Sequence, residues 1–109
     1  RGPEPLRPAV ERMRQAYFEP HRVEELARLA GISAPHFTRL FRRAFGTSPI
    51  DWLRRERINQ AKRRLGETDD PIEWIAAQVG YSDRFFFSKD FKRMTGMTPR
   101  EFRRREQGR

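Results

Sequence analysis

A chain of 109 residues without cysteine is the size of one domain or two very small ones, and it excludes disulfide frameworks, thiolate nucleophiles and cysteine metal sites. Its two histidines, His21 and His36, stand apart with no metal-spaced neighbours, and no apolar run nears the roughly 20 residues that span a bilayer. With 24 basic against 15 acidic side chains the formal net charge is +9, which suggests a polyanionic partner without identifying it.

The opening Arg1-Gly-Pro-Glu-Pro reads as a linker edge, so the chain is expected to be part of a longer protein. Leu6, Val10, Met13 and Tyr17 then form a stripe for a first helix, which Pro20 ends. Val23, Leu26, Ala27 and Ala30 recur at helical spacing, and Gly31 can leave that helix in a left-handed conformation. Ser33 is placed to cap the next helix, whose buried face is Phe37, Leu40, Phe41 and Ala44. Ser48 caps a helix starting at Pro49, with Asp51 at the capping-box position. Ile50, Leu53, Arg57, Ile58, Ala61 and Leu65 trace it until Gly66 stops it, a length of about 24 Å. Asp70 as cap, Pro71 at the first helical position and Glu73 in a capping box open a further helix, where Ile72, Ile75, Ala76 and Val79 bury. Gly80 turns the chain, and Ser82 caps a helix that carries Phe87, Phe91 and Met94 inward. Thr98, Pro99 and Glu101 repeat the cap and capping box for a last helix to about Arg105.

Two stretches of this series are the same pattern. Val23 pairs with Ile72, Leu26 with Ile75, Ala27 with Ala76, Ala30 with Val79 and Gly31 with Gly80, all at an offset of 49. Beyond Phe37 and Phe86 the offset becomes 50, pairing Phe41 with Phe91, Gly46 with Gly96 and Pro49 with Pro99. That change predicts one additional residue inside the second copy's reading helix. Two helices joined at a glycine-bearing turn fit the helix-turn-helix motif, whose second helix enters the major groove. Solenoid repeats and small protein-binding bundles share such periodicity, and the spacing alone leaves them open.

The pattern resembles the DNA-binding domain of the AraC/XylS family of bacterial transcription regulators. The resemblance runs from about Leu6 to Arg105, carried by Leu26-Ala27, Gly31-Ile32-Ser33, Leu40-Phe41-Arg42 and Phe45-Gly46 in the first copy. In the second it is carried by Ile75-Ala76, Val79-Gly80-Tyr81, Phe87, Phe91-Lys92, Gly96, Thr98-Pro99 and Phe102-Arg103. It implies an all-α fold of seven helices: a tandem helix-turn-helix with subdomains over 6–48 and 70–105, bridged by a long central helix over 49–65. It also implies double-stranded DNA as partner, read in two successive major-groove segments, and regulation of transcription in the cytoplasm on the nucleoid. RNA polymerase is an implied second partner, and an effector or dimerisation domain is expected outside this stretch. No cofactor, metal or membrane partner is called for.

The family's base-facing positions fall on Pro35, His36, Thr38 and Arg39 in the first copy and on Arg84, Phe85, Ser88 and Lys89 in the second. Arg39 suits a bidentate pair with guanine, and Thr38 offers a hydroxyl or a methyl, while Pro35 is limited to van der Waals contact. His36 either meets a phosphate or meets nothing. Phe85, Phe86 and Phe87 cannot all enter one core, and Phe85 is left most exposed, facing thymine methyls or resting on the central helix. Arg42, Lys92 and Arg93 are placed for phosphates, and helix starts at Ser33, Ser48, Ser82 and Thr98 offer amides to the backbone. Arg103, Arg104 and Arg105 read most simply as an unpaired basic tail, and Asp90, in an apolar stripe, as the partner of a neighbouring basic side chain. The acids Asp69, Asp70, Glu73 and Asp83 sit at helix starts without a histidine or pocket beside them, so an enzyme is not expected. A protein-interaction module remains the alternative function, and RNA binding lacks the strand-borne aromatic platform it would use.

Overall fold

A computed structural model describes residues 4–108; of the linker-like start at residues 1–5, residues 1–3 lie outside the described residues and Glu4 and Pro5 belong to a 3-10 turn. After a single 3-10 turn (Glu4–Leu6) come α1 (Arg7–Gln15), α2 (Val23–Ala30), α3 (Ala34–Phe45), α4 (Pro49–Glu67), α5 (Ile72–Gln78), α6 (Arg84–Thr95) and α7 (Pro99–Gln107). The fold is all-α, with the expected seven helices and no strand among the described residues. None of these helices is long and apolar enough to cross a membrane. The chain divides into two compact units, one ending at Leu53 and one beginning at Arg54, so the division falls inside α4.

In the first unit, Leu6, Ala9, Val10 and Met13 meet Leu26, Ala27, Phe37, Phe41 and Leu53 in one core. α1 is shorter than its stripe suggests. It ends at Gln15, where Ala16 leaves helical geometry, and Tyr17 packs on the core from beyond the helix. The Nε2–H of His21 donates to the Ala16 carbonyl (2.7 Å), which gives that histidine a local structural role. Ala44 is exposed rather than buried, because Phe45 takes the packing at the end of α3, with its ring 4.6 Å from Phe41 and 6.2 Å from Trp52. Ser48 caps α4 as expected, its hydroxyl accepting from the Asp51 N–H (3.2 Å).

In the second unit, Ile58, Ala61 and Leu65 of α4 join Ile75, Ala76, Val79, Phe87, Phe91 and Phe102 as buried residues. Gly66 does not stop α4, which continues to Glu67; a Cβ at this glycine would lie 3.5 Å from the Cβ of Glu106 on α7, in ordinary contact. The helix end is closed by Thr68, whose N–H (3.0 Å) and hydroxyl (2.7 Å) donate to the Arg64 carbonyl, and by long-range donors. Arg103 donates through Nε to the Leu65 carbonyl (3.2 Å) and through Nη2 to the Asp70 carbonyl (2.7 Å). The Gln107 amide adds bonds to the carbonyls of Leu65 (3.0 Å) and Thr68 (2.8 Å). Arg103 is therefore a structural clasp and not part of an unpaired tail. Arg105, too, is engaged, paired with Glu106 at 3.2 Å and lying over the Phe102 ring.

Two predicted caps are displaced. Pro71, not Asp70, is the N-cap of α5, with no side-chain cap bond; its carbonyl takes the N–H groups of Trp74 and Ile75. Asp83, not Ser82, caps α6, its carboxylate accepting from the Phe85 N–H (2.8 Å). α7 begins with the expected capping box: Thr98 Oγ1 accepts from Glu101 N–H (3.1 Å), and the Glu101 carboxylate accepts from Thr98 N–H (2.9 Å). That backbone hydrogen bond holds the Glu101 carboxyl below its usual value. Thr98→Ala is expected to lower stability by about 1 kcal/mol, read as a shift in the thermal midpoint.

Candidate nucleic-acid interface

The turns ahead of the two reading helices begin alike. Gly31 (φ 73°) and Gly80 (φ 107°) adopt the left-handed region, and the N–H groups of Ile32 and Tyr81 reach back to the carbonyls of Ala27 and Ala76. The copies then diverge by one residue before Ser33 and Asp83, the two N-caps. α3 and α6 are each twelve residues long, so the additional residue sits in the turn and not inside the reading helix. The offset of 50 therefore holds from the cap onward, and Phe37 pairs with Phe87, both fully buried. Phe86 is half exposed, with the Arg54 guanidinium 5.6 Å from its ring centre, and corresponds to His36.

This register sorts the expected contacts by face. At 3.6 residues per turn, Pro35 and Arg39 lie opposite buried Phe37 and Phe41, and Phe85 and Lys89 lie opposite buried Phe87 and Phe91. All four are exposed, and Phe85 is 83% exposed, an isolated aromatic at the middle of a basic face. Arg42 and Lys92 continue these faces one turn further along. Thr38 and Ser88 are half-buried on the flank, with Arg84 exposed on the same flank as Ser88. His36 is exposed, and its N–H donates to the Ser33 hydroxyl (3.3 Å). Ser33, Ser48 and Thr98 stand at helix starts as expected, whereas Ser82 is an exposed turn residue one position before the cap of α6. The Phe85 N–H at the start of α6 is already taken by the Asp83 carboxylate and is not free to hold an anion.

Asp90 departs from its surroundings. Only 4% exposed, it accepts from the Tyr81 hydroxyl (2.7 Å) and pairs with Arg93 (3.4 Å) and Arg54 (3.8 Å). The expected basic partner is thus present twice, and Arg93 is held by this carboxylate at the side of the reading face. Burial, then the bond to Asp90, raises the Tyr81 phenol well above its usual value. Because the folded phenol keeps its proton more tightly than the unfolded one, its contribution to stability is complete below about pH 10 and falls as pH rises through the raised value. Tyr81→Phe is expected to remove this alkaline loss, seen as a smaller drop in the thermal midpoint between about pH 10 and 12 than in the parent chain.

Three participants escaped the sequence: Asp83 as cap, Arg54 beside Asp90, and Arg43, exposed on α3 at the position matching Arg93. Carrying the offset of 50 back to Ser33 finds the first and third; Arg54 has no counterpart signal.

Comparison with known proteins agrees with this geometry. The family model described as a helix-turn-helix domain matches residues 26–105. The HTH-type transcriptional regulator GlxA of Rhizobium meliloti is 40% identical over 96 residues, covering 88% of this chain and 30% of that protein. The arabinose operon regulatory protein of Salmonella typhimurium is 37% identical over 81 residues, covering 74% of this chain and 29% of that protein. The chain thus spans less than a third of the length of these curated relatives. The crystal structure of the DNA-binding domain of AdpA in complex with a target DNA superposes with a TM-score of 0.91 at 29% identity, covering 97% of this chain and 96% of that one. By the match over residues 26–105 and by these relatives, the chain belongs to the AraC-type (AraC/XylS) helix-turn-helix family.

Proposed function

We propose that this chain binds double-stranded DNA sequence-specifically to regulate bacterial transcription, with α3 and α6 each entering a stretch of major groove. The observation that carries this is the repeated basic face opposite a buried aromatic pair: Pro35, Arg39 and Arg42 on α3, and Phe85, Lys89 and Lys92 on α6. Arg39 and Lys89 bring donors for guanine edges, and Phe85 brings an apolar ring for thymine methyls. Thr38 and Ser88 contribute from the flank, and His36 contacts a phosphate. Arg42, Lys92 and Arg93, with the helix starts at Ser33, Ser48 and Thr98, hold the sugar–phosphate backbone. Since arginine and proline in one copy face lysine and phenylalanine in the other, the preferred site is asymmetric. The proposal places the chain in the cytoplasm on the nucleoid, and gives the intact regulator RNA polymerase and an effector or dimerisation domain as further partners.

Selection of bound duplexes from a randomised pool of about 20 base pairs tests it. A bipartite site whose halves recur about one helical turn apart and differ in sequence is the expected outcome; no enrichment over scrambled DNA would refute it. Within that site, Arg39→Ala is expected to reduce discrimination at one base pair about tenfold. An unchanged ratio of matched to mismatched affinity would remove Arg39 from the base-reading set.

A further inference from the structure

We propose that the cleft between the starts of α5, α6 and α7 seats one phosphodiester of the DNA backbone between Arg84 and Arg100; this rests on the DNA-binding reading above. The cleft has a volume of about 350 Å³ and continues into a second hollow of about 280 Å³, and Ile72, Arg84 and Arg100 line both. Arg103 also lines the first, but its guanidinium is committed to the Leu65 and Asp70 carbonyls. The side chains of Arg84 and Arg100 are exposed and make no hydrogen bond or ion pair among the described residues. Two unneutralised guanidiniums on one cleft repel each other, and an anion between them turns that repulsion into attraction. The one acid in the lining, Glu73, belongs to the first hollow; the second has Ser88 and Thr98 instead, so the anion belongs at that end.

The internal repeat supplies an independent control. At the offset of 50, Arg84 corresponds to Ala34 and Arg100 to Ile50. Both counterparts are half-buried, and Ala34 packs against the first unit's core. The fold therefore accepts apolar residues at these two places, and the second unit alone carries charge there. On α6, Arg84 and Ser88 lie one turn apart and about 100° round the helix from Phe85 and Lys89. An anion in the cleft thus lies beside the base-facing surface, where a strand's backbone passes when a helix sits in the groove. Arg84 becomes a backbone contact on this account and leaves the base-reading set. Arg100, which no sequence signal singled out, becomes a backbone contact beside Arg84.

The test uses the whole chain and the double variant R84A/R100I, which carries the first unit's own residues, on matched and mismatched duplexes between about 50 and 200 mM salt. Loss of two phosphate contacts is expected to reduce the slope of log affinity against log salt by about 1.8, so the parent loses about twelvefold more affinity than the variant over that range. The matched-to-mismatched ratio stays constant, and R84K/R100K keeps the parent's slope. An unchanged slope in R84A/R100I, or a fall in the specificity ratio, overturns the assignment. So does binding of inorganic phosphate that the parent shows and R84A/R100I lacks but that does not compete with duplex at constant ionic strength, since that marks a site for a free anion. A parent chain that fails to discriminate any duplex overturns the underlying DNA-binding reading, a result distinct from all of these.

Discussion

Asp90→Ala is expected to destabilise the second unit by about 2–3 kcal/mol, lowering the thermal midpoint by about 10 °C. The carboxylate is nearly sealed from water and is the acceptor of the Tyr81 hydroxyl. Alanine leaves that hydroxyl in a buried place with no acceptor, at a cost of roughly 1–3 kcal/mol, and opens a small void beside it. The loss stays below that of stranding a fully buried charge, because the arginines concerned reach solvent: the side chains of Arg54 and Arg93 are 36% and 49% exposed and can rehydrate. The first unit shows the alternative solution. Leu40 occupies the position of Asp90, and Ile32 that of Tyr81, both packed against the core as apolar residues. Asp90→Leu combined with Tyr81→Phe is therefore expected to stay within about 1 kcal/mol of the parent. Thermal melts of the three chains decide this; an alanine variant as stable as the parent would show that the network contributes nothing.

Arg103→Ala carries the second large effect, about 2 kcal/mol. Its two charge-assisted bonds join residues 38 and 33 positions apart, tying α7 to the end of α4 and to the loop before α5. The Leu65 carbonyl keeps the Gln107 amide, so the heavier loss falls at the Asp70 carbonyl. Lysine has a single ammonium in place of the fork and cannot serve both carbonyls, so Arg103→Lys is expected to recover part of the stability only. A basic tail would behave oppositely, weakening DNA binding while leaving the melt untouched.

What the sequence could and could not convey follows from the range of the forces involved. The apolar stripes of α2, α3, α5 and α6, the left-handed glycines and the Ser48 and Thr98 caps were legible because each depends on neighbours within a turn or two. The cap of α6 was not. Ser82 and Asp83 are both good N-cap residues, and the choice between them is made by the core, which demands Phe87 and Phe91 where the first unit has Phe37 and Phe41. A shift of one residue there also moved Phe86 out of the core and Phe85 to the middle of the exposed face. The crowding of three aromatics announced an exposed ring at Phe85; it could not announce that Phe86 would lie half exposed as well. Arg103 looked like a tail residue because both of its acceptors are main-chain atoms more than thirty positions away, and no side-chain pattern advertises a carbonyl. Asp90 was conspicuous as a charge in an apolar stripe, which revealed the need for a basic partner but not the tyrosine.

The housing of the spare residue in the turn has a practical corollary for redesign. Twelve-residue segments that start from equivalent caps and end at equivalent left-handed glycines, Gly46 and Gly96, can be exchanged without altering loop lengths or the spacing of anything downstream. Copying the outward side chains of α3 onto α6 takes Phe85→Pro, Phe86→His, Ser88→Thr, Lys89→Arg and Lys92→Arg, together with Asp83→Ser because proline removes the N–H from which the Asp83 carboxylate accepts, and it leaves every buried aromatic where it is. Under the DNA-binding proposal such a chain carries the same outward side chains on both helices, so the two halves of its preferred site are expected to become alike.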